Sequence, residues 1–267
     1  MKLYIKNFST YRSDEENLDI KKELKQKYKQ DTRRKDAFIH LAILGAQRLN
    51  DKVSIDLNSE LYITSGVGNV DVLQRVDEHV LREGQCIKPF DFINMLGNTT
   101  NYYVASSLGL KGKNIFQISD NFTFINSLIS IYASANNSKK DVVFGSVDLL
   151  SEPEDFMKRV LGVEKSMDVI SAVNYQYLSI NKENALAELL FDTKVYDLNE
   201  VKSYLSKIDS KIFISKRCLN LDALKDSSFF ETFPSWLIND SILKSEDMIF
   251  VDCIENKYKI LELKIVI

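Results

Sequence analysis

The segment from Ile115 to Ala135 constrains the fold of this chain more than any other. Ile115–Ser119 is typical of a short strand, and it runs directly into a predicted helix, Phe122–Ala135. Apolar side chains surround that helix on nearly every side, and a helix without a polar face is normally buried from both sides. A strand that turns at once into a buried helix forms an elbow, which presents a side chain at the positively polarised helix end.

Strands and helices alternate along the rest of the chain, which predicts a layered α/β domain. A strand is predicted at Leu61–Ser65, an amphipathic helix at Asp36–Leu49, and a final strand at Lys259–Ile267, where apolar residues alternate with Glu262 and Lys264. Further strands are predicted at Met1–Ile5, Asp141–Phe144, Val173–Leu178, Lys211–Ser215 and Met248–Cys253, and further helices at Leu18–Tyr28, Lys182–Phe191 and Val201–Ile208.

The charge balance excludes several classes of partner. The chain carries 35 Lys and Arg against 38 Asp and Glu, a net charge of -3, which argues against nucleic acid and anionic membranes. The basic stretch from Lys21 to Lys35 is typical of a solvated helix face, with docking of an acidic carrier protein as the weaker alternative. No apolar run approaches the ~20 residues that span a bilayer, and Met1–Lys6 is too short and charged for a secretory signal. We therefore expect a cytoplasmic protein without membrane insertion.

Cysteines and histidines are few. Cys86, Cys218 and Cys253 lack C-x-x-C spacing, which favours free thiols in a reducing compartment over disulfides or a metal site. No metal or cofactor is expected. The two histidines, His40 and His79, lie in predicted helices, where surface or packing roles are favoured over catalysis.

Five segments, in order, resemble the β-ketoacyl synthase (thiolase-fold) family. Arg33–Phe38 resembles the family's early basic-aromatic segment, Ile63–Gly68 its GSGxGG turn, Lys88–Asn98 its SPFFxPxxxxN segment, Leu108–Asn114 its LGLKGPN segment, and Asp141–Ser146 its ADVxLAGG strand. The resemblance covers roughly residues 33 to 150. It implies a thiolase-like layered α/β fold in one unit, 1–267, with a mostly complete N-terminal half to about residue 170. The C-terminal half, about 171–267, would be reduced.

The chain departs from this family where its chemistry resides. The family's elbow reads TACxSG and carries the nucleophilic cysteine, whereas Asn121 falls at that position here. An asparagine amide is not a nucleophile for acyl transfer. The family also uses two histidines from its C-terminal half, but no histidine follows His79 in this sequence. The resemblance therefore implies that this chain is not itself an enzyme.

Taken together, the resemblance implies a non-catalytic, chain-length-factor-like partner of a ketosynthase, similar to those of aryl polyene systems within type II polyketide or fatty-acid-like biosynthesis. Such a subunit completes a heterodimer and shapes the acyl tunnel, and an acyl carrier protein reaches it through the complex. The implied interface strand consists of Asn114, Ile115, Phe116, Gln117, Ile118 and Ser119. The candidate tunnel residues are Val67, Phe90, Phe92, Met95, Leu96, Phe116 and Phe122. Core packing is an equal alternative for aromatic residues such as Phe116 and Phe122, whereas segment 88–98 is hydrophobic without a clear helix or strand period, which favours the tunnel.

Two other functions stay open. A homodimeric acyl-binding or scaffolding module could use the same interface strand. An acyl-transfer enzyme with altered chemistry could work from Ser119, Asp120, Asn121 or Thr123, although the sequence offers no general base nearby. An open strand edge at 114–119 also predicts poor solubility for the isolated chain.

Overall fold

The computed structural model describes residues 1–119, 122–151, 154, 158, 168–215, 218, 221, 228–229 and 232–266. Its strands are β1 (Lys2–Arg12), β2 (Glu60–Thr64), β3 (Asn114–Gln117), β4 (Val142–Asp148), β5 (Asp168–Val169), β6 (Ala172–Ser179), β7 (Ala187–Phe191), β8 (Lys211–Ile214), β9 (Ser228–Phe229), β10 (Met248–Ile254) and β11 (Lys257–Ile265). Its helices are α1 (Ile20–Gln26), α2 (Ala37–Asn50), α3 (Val70–Asp77), α4 (Pro89–Asn94), α5 (Gly97–Leu108), α6 (Thr123–Ser138), α7 (Leu198–Leu205) and α8 (Phe233–Lys244), and a π-helical turn at Glu78–Arg82 extends α3.

Nine strands form one mixed sheet in the order β3-β2-β4-β6-β1-β7-β11-β10-β8. β2 pairs in parallel with β3 and β4, whereas β6 runs antiparallel to both of its neighbours. β1 and β7 pair antiparallel at the middle of the sheet. The short strands β5 and β9 form a separate parallel pair.

The topology repeats, although the sequence shows no repeat. From the central β1–β7 pair outwards, one side of the sheet reads β1-β6-β4-β2 and the other reads β7-β11-β10-β8. Corresponding neighbours on the two sides also pair in the same relative directions. The counterpart of β3 is missing from the described part of the second half. The division near residue 170 stays a prediction; β6 pairs with β4 and β1, and so groups with the elements that precede it.

Helices cover both faces of the sheet. α6 and α8 share one apolar cluster with β1, β4, β7 and β11. On the opposite face, α1, α2 and α5 pack over the first half of the sheet, and α7 packs over β10 and β11. The expected layered α/β architecture is therefore confirmed.

The degree of burial of the two longest helices differs from the prediction. All residues from Phe38 to Gln47 of α2, predicted to be amphipathic, are buried. α6, predicted to be buried all round, leaves Ile129 and Tyr132 only partly covered. α2 is more buried than predicted because it lies between the sheet and the helices α1 and α5. α6 is less buried because its outer face has no covering layer among the described residues.

One predicted element was wrong. The helix expected at Lys182–Phe191 is instead a turn followed by β7. Ala187, Leu189 and Phe191 alternate with half-buried residues along β7, and this strand has neighbours on both sides, β1 and β11. Central pairing thus overrides a weak local helical pattern.

Candidate functional site

β3 ends at Gln117 and α6 begins at Thr123, which is the succession of strand and buried helix that the sequence predicted for the elbow. Phe122 has a left-handed backbone, with φ of +52°, a conformation that a bulky residue adopts only under local constraint. The hydroxyl of Thr123 donates to the carbonyl oxygen of Ser119 (2.7 Å), which ties the two sides of the elbow together. Asp120 and Asn121 lie outside the described residues, so the position of the degenerate nucleophile is not placed.

A buried amine lies beside this elbow. Lys259, on β11, is only 6% exposed, and its Nζ lies 5.8 Å from the centre of the buried Phe122 ring. The same Nζ donates to Oδ1 of Asn126, on the first turns of α6 (3.0 Å). Burial lowers the pKa of Lys259 below its ordinary value. The sequence analysis did not single out this lysine, although it lies on the same face of the strand as Leu261 and Leu263.

The two histidines make their contacts in other parts of the chain. The ring of His40 lies 3.0 Å from the carbonyl oxygen of Thr32, and both residues are buried. His79 lies on the π-helical turn, with Nδ1 3.5 Å from a carboxylate oxygen of Glu83. These contacts fit the packing and surface roles favoured by the sequence.

The glycine turn after β2 is held by a buried carboxylate that no local sequence pattern indicates. Asp148 accepts hydrogen bonds from the hydroxyl of Ser65 (3.1 Å) and the backbone N–H of Gly66 (2.8 Å). Its second oxygen accepts from the backbone N–H and the hydroxyl of Thr232 (2.8 and 2.7 Å). Asp148 therefore joins the turn that carries the half-buried Val67 to the residue that precedes α8.

The segment expected to line an acyl tunnel forms a short helix at the surface. Pro89 begins α4, where its missing N–H costs nothing. Phe90, Phe92 and Leu96 are 45%, 49% and 43% exposed, whereas Met95 is half-buried. Three of these four side chains are therefore open to solvent in the isolated chain.

The exposed large apolar residues are concentrated in one stretch of the chain. Among the residues that the structure describes, nine of the twelve lie between positions 73 and 118, on or directly beside α3, the π-helical turn, α4, α5 and β3. We call them the apolar surface: Leu73, Val80, Leu81, Phe90, Phe92, Ile93, Leu96, Tyr102 and Ile118. Concentration of exposed apolar area is typical of an interaction site rather than of ordinary surface.

β3 forms one edge of the sheet and pairs only with β2 among the described residues. It covers four of the six predicted interface residues, and Ile118 and Ser119 follow it. Phe116 packs edge-on against Phe38 of α2, with ring centres 6.3 Å apart. A Cβ at Gly97 would lie 2.7 Å from Cε1 of Phe116, so α5 approaches this ring closely. Phe116 thus belongs to the α2 side of the sheet, whereas Phe122 begins the helix on the other side.

A basic segment borders the apolar surface. Residues 20–35 contain eight Lys or Arg and two Asp or Glu, a net charge of +6, while the whole chain carries -3. The guanidinium of Arg34 lies 5.0 Å from the ring centre of Phe90, which joins the two surfaces. No carboxylate pairs with Lys21, Lys25 or Arg34 within the part of the chain that the structure describes.

Other predicted features fall outside this region. A cavity of about 660 Å³ is lined by Lys6, Lys139, Asp141, Tyr177 and Glu183, among others, and contains none of the candidate tunnel residues. Cys86 is exposed, and Cys218 and Cys253 are buried. Over the described residues, no cluster of three metal-binding side chains occurs, and no helix is long and apolar enough to cross a membrane.

Comparison with known proteins gives matches by structure alone. The sequence matches no protein-family model and no curated protein. An ishigamide ketosynthase/chain length factor superposes with a TM-score of 0.76 at 11% identity, over 100% of both chains. A ketosynthase (ApeO) in complex with its chain length factor (ApeC) from Xenorhabdus doucetiae gives 0.63 at 11% identity, over 98% of this chain and 99% of that chain. A type II polyketide synthase acyl-carrier protein in complex with its ketosynthase gives 0.60 at 13% identity, over 100% and 99%.

Likeness at such low identity establishes architecture and leaves activity open. It agrees with the observed layers, the repeated strand order and the elbow before α6, each described above from the chain itself. The resemblance of five sequence segments is thereby confirmed at the level of fold. The chain has the thiolase-like fold shared by ketosynthases and chain length factors.

Proposed function

We propose that this chain is the non-catalytic, chain-length-factor-like partner of a ketosynthase in type II polyketide or fatty-acid-like biosynthesis. The observation that carries the proposal is that the open edge β3 and the apolar surface occupy one continuous stretch, residues 73–118. A chain of similar fold comes from a ketosynthase in complex with its chain length factor.

The proposed interface would pair the open backbone groups of β3 and cover the apolar side chains beside them. An unpaired edge strand presents backbone N–H and C=O groups to any strand that approaches it. Exposed apolar side chains beside that edge, such as Ile118 at 47% exposure, gain free energy when a partner removes them from water. We infer that a ketosynthase pairs along β3 and covers the apolar surface at the same time.

The proposed lack of catalysis rests on the elbow and on the histidines. The residue aligned with the family's nucleophile is Asn121, and the next residue, Phe122, is buried with its ring facing the Lys259 amine. Neither histidine of the chain bonds at the elbow, since His40 contacts Thr32 and His79 contacts Glu83. A thioester nucleophile and its general base therefore have to come from the partner.

In this proposal, the acyl tunnel forms only when the two subunits assemble. Phe90, Phe92 and Leu96 extend from α4 and its C-terminal end into solvent in the isolated chain. A partner that covers this helix would turn those side chains into one wall of a closed apolar channel. Their size would then limit the length of the acyl chain, and an aryl polyene is one product class that such a channel could serve.

The basic segment supports contact with an acyl carrier protein through the complex. Lys21, Lys25 and Arg34 are exposed, and Arg34 contacts Phe90 at the margin of the apolar surface. An acidic partner would be attracted to this +6 segment and repelled by the remaining chain, which is negative overall. Replacement of Lys21 and Lys25 by Glu should weaken carrier binding and flatten its dependence on salt.

The direct test is co-expression with the ketosynthase encoded nearest to this chain, followed by size-exclusion chromatography with light scattering and a condensation assay. We expect a stable one-to-one complex whose activity disappears when this chain is omitted. A homodimer that ignores the ketosynthase would favour the stand-alone acyl-binding module. Turnover of an acyl thioester by the purified chain alone would favour an enzyme with altered chemistry.

A further inference from the structure

A row of polar side chains crosses the sheet beneath α6 and α8. Gln117, Thr64, Ser146, Asn174 and Thr10 are successive partners across β3, β2, β4, β6 and β1. Three of them are completely buried: Thr64, Ser146 and Asn174 are each 0% exposed. A fully buried polar row in the middle of a sheet face is costly unless each group finds a partner.

Hydrogen bonds connect the row at both of its ends. Thr64 donates to the carbonyl oxygen of Gln117 (2.9 Å) and accepts from Ser127 of α6 (3.1 Å). At the other end, the hydroxyl of Thr10 donates to Oδ1 of Asn174 (2.5 Å). The row is therefore interrupted only between Thr64 and Asn174, at Ser146.

Three buried polar atoms at this interruption have no partner within the described structure: Oγ of Ser146, Nδ2 of Asn174 and Oε1 of Gln176. Ser146 and Asn174 face each other directly across β4 and β6, and Gln176 lies two residues from Asn174 on the same face. The Gln176 amide nitrogen is already fixed, because it donates to Oγ of Ser235 and Oδ1 of Asn239 (both 2.9 Å). Its oxygen thus points away from those partners.

These atoms lie along a line of the sheet that both α6 and α8 reach. α6 reaches the row through Ser127, and α8 reaches it through Ser235 and Asn239. The row also lies at or near the carboxyl ends of β2, β3 and β4, where open α/β sheets hold their ligands. Ser146 can donate and accept, Asn174 can donate, and Gln176 can accept.

We propose that this line is a binding site for at least one internal water molecule, held by Ser146 and Asn174 with Gln176 as the third partner. A buried water typically makes about three hydrogen bonds to groups that otherwise lack partners, and these three atoms supply that number. A larger organic ligand does not fit the observations, since all three side chains are at most 1% exposed. The water completes the polar row between β4 and β6.

The test uses the full chain, purified with its partner where the two co-purify. A crystal structure that resolves ordered solvent should show a water within hydrogen-bond distance of Ser146 and Asn174. Oxygen-17 relaxation dispersion should count one long-lived internal water fewer in Ser146→Ala than in the unmodified chain. Ser130→Ala is the control, because that hydroxyl already donates to the carbonyl oxygen of Asn126 (3.1 Å) and its loss should leave the count unchanged.

Thermal unfolding gives an independent answer. If water bridges the two side chains, Ser146→Ala and Asn174→Leu should each lower the melting temperature, and their effects should be non-additive because they share one ligand. A dry site in the crystal, together with a higher melting temperature for Ser146→Ala, would overturn the proposal. In that case the substitution would simply have removed an unpaired buried group.

Discussion

The ring of Tyr175 occupies the space that a side chain at Gly145 would need. The two residues are direct partners across β4 and β6, and a Cβ at Gly145 would lie 2.5 Å from Cε1 of Tyr175. Gly45 of α2 approaches the same ring, since its Cβ would lie 2.7 Å from Cδ2. Two glycines thus make room for one fully buried tyrosine, which sets how closely α2 packs on the sheet.

Gly145→Ala should therefore lower the free energy of unfolding by about 1–3 kcal/mol, the usual cost of overpacking a core. Chemical denaturation of the two proteins measures this difference. Tyr175→Leu in the same background should recover part of the loss, because it removes the ring that clashes. An unchanged denaturation midpoint for Gly145→Ala would show that α2 moves aside freely.

Removal of the Tyr175 hydroxyl should stabilise the fold, in contrast to Gly145→Ala. This oxygen has no hydrogen-bond partner in the described structure, and burial raises the pKa of Tyr175. Tyr175→Phe should thus raise the free energy of unfolding, by about 1 kcal/mol, because an unpaired buried group disappears. Tyr177→Phe is the matched control on the same strand. Its hydroxyl lies 3.2 Å from that of Ser59, so its loss should be destabilising.

The buried His40 should make the free energy of unfolding depend on pH. Burial is the main cause that lowers the pKa of His40 in the folded chain, with nearby Lys21, Lys35 and Lys25 adding to it. The unfolded state then binds the proton more readily than the folded state. His40 therefore costs no stability above the ordinary histidine pKa, and the free energy of unfolding falls as the pH drops below that value. Denaturant midpoints measured between about pH 7.5 and 5.5 should decline, and the decline should shrink in His40→Gln. An equal decline in both proteins would assign it to other groups.

The elements that the sequence predicted well are those whose pattern is local. The succession of β3 and α6, the strand at 61–65 and the final alternating strand each depend on neighbouring residues, and all three formed. The turn at 66–68 also formed, but its buried anchor, Asp148, could not be predicted. Its four donors come from Ser65, Gly66 and Thr232, which lie more than eighty residues away on either side.

The same distinction explains the missed repeat and the misassigned β7. The order β7-β11-β10-β8 mirrors β1-β6-β4-β2 through pairing alone, and pairing partners leave no mark in the local pattern of one strand. The exposure of α4 was missed for a related reason. Phe90, Phe92 and Leu96 were assigned to an enclosed tunnel, whereas all three are exposed in the described structure. Whether a side chain is covered depends on long-range contacts, which the local pattern of the sequence does not record.

A charge at the end of β3 should prevent assembly with a ketosynthase. Ile118 is 47% exposed, so Ile118→Asp should leave the folded chain stable but weaken the complex by about 2 kcal/mol or more, as for other central apolar contacts. Pull-down and size-exclusion chromatography with the co-expressed ketosynthase measure the effect. Leu243→Asp is the control, because Leu243 is 67% exposed near the end of α8, away from the apolar surface. Equal loss of the complex in both variants would argue against β3 as the interface.

The side chains of α4 should set the length of the product. Phe92 and Leu96 are 49% and 43% exposed in the isolated chain, so Phe92→Ala and Leu96→Ala should change its stability little. In the complex, each substitution removes part of the proposed tunnel wall, and the products of the partner enzyme should become longer or broader in length. Mass spectrometry of carrier-bound intermediates measures this distribution, with Leu243→Ala as the control of equal chemistry on a distant surface. If both variants form the complex and yield unchanged products, the apolar residues of α4 serve only to bind the partner, and chain length is set by the ketosynthase itself.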